Sequence, residues 1–380
     1  MAHLITSLSV GGAETFLLRL VATMDRGRFD PVVISVTDEG TLGAQLREMG
    51  VRVYALGMRR GVPHPGGLIR LISILRRERP HILQTWLYHA DLLGLLARRP
   101  GAVERLVWGI RCSETDSRYR SGLSGLVVRI LARYSDRPDA IVTNSQAGTE
   151  THRAMGYRPR RWEVIHNGVD TDHFHPAPGH HASVRRELDL PPETVLIGLV
   201  ARYDPLKDHG TFLKAAAHLA NEKDVHFVLA GAGVDGANGV LAQLAGELGI
   251  SQRVHFLGER TDIARLNAAF DIASCCSTGE GFPNILIEAM ACGVPCVTTD
   301  VGDAREVVAE TGIVSPVRGA AQLAQGWRTL LQRGSDGRAQ LGQAARDRIV
   351  EHFALSKAAS RYETLYSELA CAKPEPAEPR

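Results

Sequence analysis

Two series of alternating apolar strands and amphipathic helices, parted by one stretch without periodicity, constrain this chain more than any other feature. In the first series, strands are expected over 2–7, 31–36, 51–56, 82–85, 105–110 and 140–144, with helices over 13–24, 42–49, 68–79, 91–98 and 123–134. Periodicity fades after 162–166, through Asp172-His173-Phe174-His175-Pro176-Ala177-Pro178, which reads as a linker. The second series has strands over 195–201, 225–230, 254–257, 272–274 and 295–298, and helices over 211–220, 240–248, 262–270, 284–292 and 303–308. Such alternation demands crossover connections, hence parallel strands with helices on both faces. The expected fold is therefore α/β, with two Rossmann-like parallel-sheet domains, 1–172 and 173–352, facing across a cleft. The ligand is expected at the carboxyl ends of the strands.

Composition narrows the class. A hydrophobic content of 44% and a charged content of 23% are those of a soluble globular protein. The chain has no run of about 18 apolar residues and no basic-then-apolar leader, so a cytoplasmic protein is expected. Cysteines at 112, 275, 276, 292, 296 and 371 form no C-x-x-C pair and read as buried thiols. Residues 1–161 hold 24 arginines and no lysine against 14 carboxylates, a balance of +10, while the remainder carries 20 basic and 28 acidic groups, a balance of −8. Opposite signs suggest halves with different partners: the basic one an anionic acceptor or an anionic membrane surface. No RNA- or DNA-reading motif is present, so nucleic acid is not expected as a partner. Residues 373–380, rich in Pro and Glu, are expected to be disordered.

The chemistry concentrates at Glu280-Gly281-Phe282-Pro283-Asn284-Ile285-Leu286-Ile287-Glu288. Pro283 suits a first helical position, and Gly293 with Pro295 suits a stop. One carboxylate then lies on a loop and the other on the first turns of a helix, with free backbone N–H groups between. That pattern suits a ligand with hydroxyls at both ends and an anion between them, as in a nucleotide-sugar. Arg202 and Lys207 share one loop after the first strand of the second series, where fixed positive charge would serve a diphosphate leaving group. Gly231-Ala232-Gly233-Val234-Asp235-Gly236 spells G-x-G-x-x-G but follows the second strand of its half, not the first, so it reads more simply as a tight turn. Gly11-Gly12-Ala13-Glu14 follows the first strand and lets backbone approach a phosphate or sugar, or is a plain turn. Asp170-Thr171-Asp172 reads as turn chemistry, and no metal site is expected.

Taken in order, Gly11-Gly12-Ala13-Glu14, His166-Asn167-Gly168-Val169-Asp170, Arg202…Lys207, Gly231-Ala232-Gly233 and Glu280…Glu288 with Ala289-Met290-Ala291-Cys292-Gly293-Val294-Pro295 resemble the retaining glycosyltransferases of family 4. The resemblance spans about 350 residues. It implies the glycosyltransferase-B fold, a nucleotide-diphosphate-sugar donor with a UDP-sugar as first choice, no metal or other cofactor, and a last helix, over 353–372, that crosses back to the first domain. It further implies that Arg202 and Lys207 hold the diphosphate, Glu280 meets hydroxyls of the sugar, and Glu288 meets the ribose. Gly281, Phe282, Pro283, Asn284 and Ile285 would face sugar and phosphates. The loop over 258–263, with Arg260 and Ile263, would flank the base, and Gly11 and Gly12 would approach the donor from the other domain.

One departure stands out. Where many members carry a histidine after the strand Val107-Trp108-Gly109-Ile110, this chain has Arg111, which cannot act as a base at neutral pH. His89 is the remaining histidine candidate on that side. Glu280, Arg202, Lys207, His89 and Arg111 are thus the candidate catalytic residues. The segment 123–134 joins an apolar stripe to flanking arginines, as an interfacial helix or an ordinary core-packing helix does. In the former case the acceptor is a lipid-linked saccharide, or a polysaccharide or lipopolysaccharide precursor, at the inner membrane face. An NAD-dependent oxidoreductase, a nucleotide-sugar epimerase and a non-catalytic sugar-nucleotide-binding subunit are the competing readings.

Overall fold

The computed structural model describes residues 1–59, 64–98, 103–111, 122–222 and 224–372. Cys112, Arg118, Arg120 and the segment 373–380 lie outside them. The chain forms two compact units, one of Met1–Asn167 together with the residues from Leu355 on, the other of Gly168–Ala354.

The first unit is built on strands β1 (Ala2–Ile5), β2 (Val32–Ser35), β3 (Arg52–Ala55), β4 (Ile82–Trp86), β5 (Arg105–Ile110), β6 (Ala140–Thr143) and β7 (Trp162–Val164). They form a parallel sheet in the order β3-β2-β1-β4-β5-β6-β7. The period of two is visible in β1: Ala2 and Leu4 enter one core, Ile5 the other. Helices α1 (Gly12–Thr23), α2 (Gly40–Glu48) and the C-terminal helix cover one face, while α3 (Pro65–Glu78), α4 (Tyr88–Arg98) and α5 (Gly122–Arg133) cover the other. A sixth helix, α6 (Gln146–Ala154), links β6 to β7.

The second unit opens with α7 (Pro178–Glu187), directly after the aperiodic stretch. Strands β8 (Val195–Val200), β9 (Val225–Ala230), β10 (Val254–Phe256), β11 (Ile272–Cys275), β12 (Cys296–Thr299) and β13 (Gly312–Ser315) form a parallel sheet in the order β10-β9-β8-β11-β12-β13. Helices α8 (His209–His218), α9 (Gly239–Glu247) and α13 (Ala320–Gln332) pack on one face. Helices α10 (Ile263–Ala269), α11 (Asn284–Ala291), α12 (Ala304–Val308) and α14 (Gly334–His352) pack on the other, and α15 (Leu355–Cys371) returns to the first unit beside α1. In both sheets the strand order reverses once, between β1 and β4 and between β8 and β11. At such a point the loops on either side diverge and leave a crevice at the carboxyl edge.

One local expectation is corrected, and two turn readings agree with the structure. Pro283 is the residue before α11, not its first position, which Asn284 takes. The glycine run 231–236 does not open a helix: α9 starts only at Gly239, capped by Asn238, so the run is not a dinucleotide-binding turn. Asp170 Oδ1 accepts from Asp172 N (3.0 Å) and His173 N (3.1 Å), the turn chemistry read from the sequence.

Candidate functional site

The second unit places its two best sequence candidates on the loops flanking its reversal point. Lys207 follows β8 and Glu280 follows β11, and Lys207 Nζ donates to Glu280 Oε1. The side chains are 22% and 12% exposed, enough for a ligand to reach and too little for water to screen fully. Burial opposes the ammonium charge of Lys207, but Glu280 more than offsets it, so the lysine is held above its ordinary pKa and stays charged.

Local sequence explains how each group is delivered. Asp204 accepts from Leu206 N at 3.0 Å and opens a 3-10 turn at Pro205–Lys207, with the proline preset for that turn. Asp208 is left-handed (φ 47°) and caps α8 by accepting from Thr211 N and Thr211 Oγ1. Lys207 therefore sits between two capped turns. Thr278 N donates to Leu206 O at 2.8 Å and ties this loop to the one carrying Glu280. On the other side, Ser277 Oγ donates to the same Glu280 Oε1 at 2.6 Å.

Two glycines allow these loops to close on their neighbours. Gly231 (φ 151°) lies against the Ala201–Arg202 backbone, where a Cβ would stand 2.2 Å from Ala201 O. Gly302 (φ 51°) supports the Glu280–Gly281 peptide, where a Cβ would stand 2.6 Å from both carbonyl oxygens. Gly281, Asn284, Ile285 and Glu288 are half-buried, while Phe282 and Pro283 are buried. The residue before α11 offers no side-chain cap, so the first backbone N–H groups of that helix are not satisfied in that way.

Other expected donor residues are placed differently. Arg202 is 57% exposed and folds onto Asp204 (2.9 Å), a surface pair that costs little to break. Gly233 (φ 74°) lies beside Tyr203 and Asn238, whose Nδ2 donates to Gly233 O. Arg260 donates to Asp262 through Nε (2.8 Å) and to Glu187 through Nη1 (2.7 Å), and the hydrogen bonds that Asp262 accepts from Arg260 and Arg265 hold it well below the usual carboxylate range. Ile263 begins α10 and packs on the core.

In the first unit, the loops after β1 and β4 flank the matching reversal. Gly11 precedes α1 and Gly12 begins it. The Glu14 carboxylate bends back over Gly11 and accepts from Ser7 Oγ at 3.1 Å. His89 lies half-buried in the first turn of α4, where burial lowers its pKa and keeps the imidazole neutral. Two residues on, Asp91 is fully buried, accepts from Thr85 Oγ1, and is pushed well above the carboxylate range by that burial. Arg111 stacks 4.6 Å from the ring centroids of both Phe16 and Trp86 and donates to Asn167 Oδ1 (2.5 Å) and to the Tyr362 hydroxyl. That setting joins it to the packing of α15. A cavity of about 380 Å³ at the start of α3 is lined in part by Met58, Arg59, His64 and Arg70.

Ser277 and Gly302 are the site residues that sequence reasoning missed. Ser277 sits three positions before Glu280 and just past a predicted strand, and Gly302 follows another strand in a Val-Gly-Asp turn, so the strand ends held the available signal.

Each unit is thus a doubly wound α/β domain, and the second carries a lysine–glutamate pair on the loops that flank its reversal point. Residues 10–173 match the family model described as Glycosyltransferase Family 4, and residues 194–333 match that of Glycosyl transferases group 1, one in each unit. The chain belongs to glycosyltransferase family 4 and has the glycosyltransferase-B fold. A D-inositol 3-phosphate glycosyltransferase of Mycobacterium sp. (strain KMS) is 37% identical over 174 residues, 44% of this chain and 38% of that protein. The chain thus matches well under half the length of this curated relative. Among solved structures, Anabaena HepE in complex with UDP superposes with a TM-score of 0.84 at 23% identity, covering 97% of this chain and 99% of that one. A glycosyltransferase from Rickettsia africae superposes with a TM-score of 0.83 at 18% identity, covering 98% and 99%.

Proposed function

We propose that this protein is a retaining glycosyltransferase that moves a hexose-type sugar from a nucleotide-diphosphate sugar, a UDP-sugar by preference, to an acceptor hydroxyl without a metal. The observation that carries this reading is the Lys207–Glu280 pair on the two loops flanking the β8/β11 reversal. A lone ion pair there would be an odd use of a ligand crevice; a diphosphate that draws off the lysine and a sugar that engages the carboxylate use both partners. The N-terminus of α11 adds backbone donors for phosphate. The structures of Anabaena HepE in complex with UDP, with UDP and glucose, and with UDP-glucose support the choice of nucleotide.

In this mechanism the bond from the anomeric carbon to the diphosphate oxygen breaks while the acceptor oxygen bonds to the same carbon from the same face. The acceptor proton passes to an oxygen of the departing diphosphate, so no protein base is required. Lys207, with Arg202 swinging from Asp204, stabilises the charge that builds on the leaving group. Glu280 and Glu288 orient sugar and ribose.

For the acceptor, we infer an anionic or lipid-linked saccharide. Ile69 on α3, Leu96 on α4, and Leu123, Leu126 and Tyr134 on and just beyond α5 are exposed on adjoining helices. Arg70, Arg76, Arg77, Arg129 and Arg133 lie exposed among them. The acidic residues of the three helices, Glu78 and Asp91, are largely withdrawn from solvent. An anionic membrane surface rewards such a face, and the nearby cavity with Arg59, His64 and Arg70 suits an anionic group.

The test is a panel of UDP-, GDP- and ADP-sugars, screened for binding, slow hydrolysis and transfer to saccharide acceptors, with product stereochemistry read by proton NMR. UDP-sugar turnover with retention is expected, as is a loss of at least 100-fold in kcat/KM on Lys207→Ala. An inverted product, full activity of Lys207→Ala, or sugar isomerised without transfer would overturn the reading. Liposome flotation at low salt should retain the protein on anionic but not neutral vesicles; indifference to both rejects the membrane element.

A further inference from the structure

We propose that Ser277 is a positioning residue that keeps the Glu280 carboxylate aimed when Lys207 leaves it for the incoming diphosphate. The proposal rests on the glycosyltransferase reading above and extends it to a residue that touches neither sugar nor phosphate.

The argument begins with the competition at one oxygen. Glu280 Oε1 accepts from Lys207 Nζ and from Ser277 Oγ, whereas among the described residues Oε2 has no hydrogen-bond partner. Two donors on one oxygen fix the plane of the carboxylate and leave the other oxygen for a ligand hydroxyl. Lys207 cannot serve the diphosphate fully while it neutralises Glu280. Once it turns away, a carboxylate on a loop would be free to rotate unless a second donor held it. Ser277 is that donor.

The serine is built to donate in one direction. It is 2% exposed, and its carbonyl accepts from Thr299 Oγ1 at 2.6 Å, which anchors its backbone to the end of β12. Its hydroxyl also accepts from Cys275 Sγ at 3.6 Å. The Cys275 thiol is 1% exposed, and burial raises its pKa, so it stays protonated and remains a donor. With its acceptor side engaged by the thiol, the single hydroxyl proton of Ser277 goes to Glu280. The chain of donors thus runs from Cys275 through Ser277 to the carboxylate, independent of Lys207. The Thr299 anchor uses the main chain of Ser277, so removal of the hydroxyl leaves the loop tethered.

The experiment compares the full-length protein with Ser277→Ala, Ser277→Thr and Cys275→Ala, measuring binding of UDP and of UDP-glucose and the kinetics of UDP-glucose hydrolysis or transfer. UDP lacks the sugar that Glu280 would hold. Ser277→Ala is therefore expected to bind UDP within about twofold of the parent and to lose roughly 10- to 100-fold in kcat/KM for UDP-glucose, the loss of one hydrogen bond to a charged group. Ser277→Thr, which keeps the hydroxyl, should restore most of that loss, and Cys275→Ala should give a smaller loss of the same kind. An unchanged preference for UDP-glucose over UDP in Ser277→Ala overturns the proposal. So does a parallel loss of both ligands with a lowered melting temperature, the signature of a packing role. If the parent protein binds neither UDP nor UDP-glucose, the glycosyltransferase reading fails first and the proposal falls with it.

Discussion

Single residues in this protein owe their roles to where the chain places them more than to their chemical type. Arg111 is a catalytic candidate because it stands where many family members carry a histidine, yet its guanidinium lies between Phe16 and Trp86 and reaches Asn167 and Tyr362. Arg111→Met is accordingly expected to lower the stability of the first unit by about 1–3 kcal/mol, since a buried hydroxyl and amide lose their charged partner; chemical denaturation measures it. Gly302 presents the opposite case, a residue without a side chain on which the site depends. Alanine there takes on a left-handed backbone worth about 1–2 kcal/mol and a Cβ 2.6 Å from the carbonyl oxygens of Glu280 and Gly281. Gly302→Ala should weaken UDP-glucose binding at least tenfold while shifting the melting temperature by only a few degrees; titration and thermal melting separate the two effects.

Among the elements, the central strands and most amphipathic helices were legible because they bury continuous or periodic apolar residues. The fading after Val164 was legible too, but α7 within the linker region was not, since of its ten residues only Val184 and Arg185 are buried. Helix α6 buries Gly148, Thr149 and His152, and α14 buries Arg338, Gly342, Ala345 and Ile349, patterns of small or polar groups that carry little apolar signal. The carboxylate pair of the site was readable from Gly/Pro punctuation, whereas its supporting contacts were not: Ser277 is three residues away but is an ordinary serine past a strand end, and Gly302 comes from the loop after β12. Helix α15 was expected to return only through family resemblance. It buries Leu355, Ala358, Ala359, Tyr362, Leu365, Tyr366 and Leu369, and Tyr366 donates to Gln84 at 3.1 Å inside the first unit. Leu365→Ala should therefore cost about 2–5 kcal/mol, with the loss appearing as faster hydrogen exchange in β1 and α1 but not in β8 or β11. Equal loss in both units would show that α15 is not an element of the first.

For the whole molecule, buried ionisable groups give the two units different responses to acid. A histidine kept neutral by burial binds a proton more readily when unfolded, so its contribution to stability is lost as pH falls from the unfolded value near 6.5 toward the folded one. His255 in the second unit is lowered to about 4, first by burial and then by its neighbour His226, 3.0 Å away; His226 and His209 are lowered too. The first unit contains His3, lowered to about 3 by burial, and His89, lowered less, but also Asp91, raised by burial. A carboxyl held neutral in the folded state acts in the opposite sense: its contribution is present below the unfolded value near 3.8 and is lost as pH rises through the folded one. Between about pH 6.5 and 4, each group changes stability by at most about 1.4 kcal/mol per pH unit, and Asp91 acts against His3. No raised carboxyl offsets the second unit's three histidines among the described groups, and the lowered Asp262 and Asp271 add a further loss as pH falls below 4. Acidification should therefore separate the unfolding of the units, with hydrogen exchange rising in β8, β9 and β11 before β1 and β4. His255→Asn should narrow the gap, and UDP, if it binds the second unit as proposed, should delay that unit's transition alone. Simultaneous loss of protection in both units at pH 4.5 would contradict the assignment of acid sensitivity to the histidines of the second.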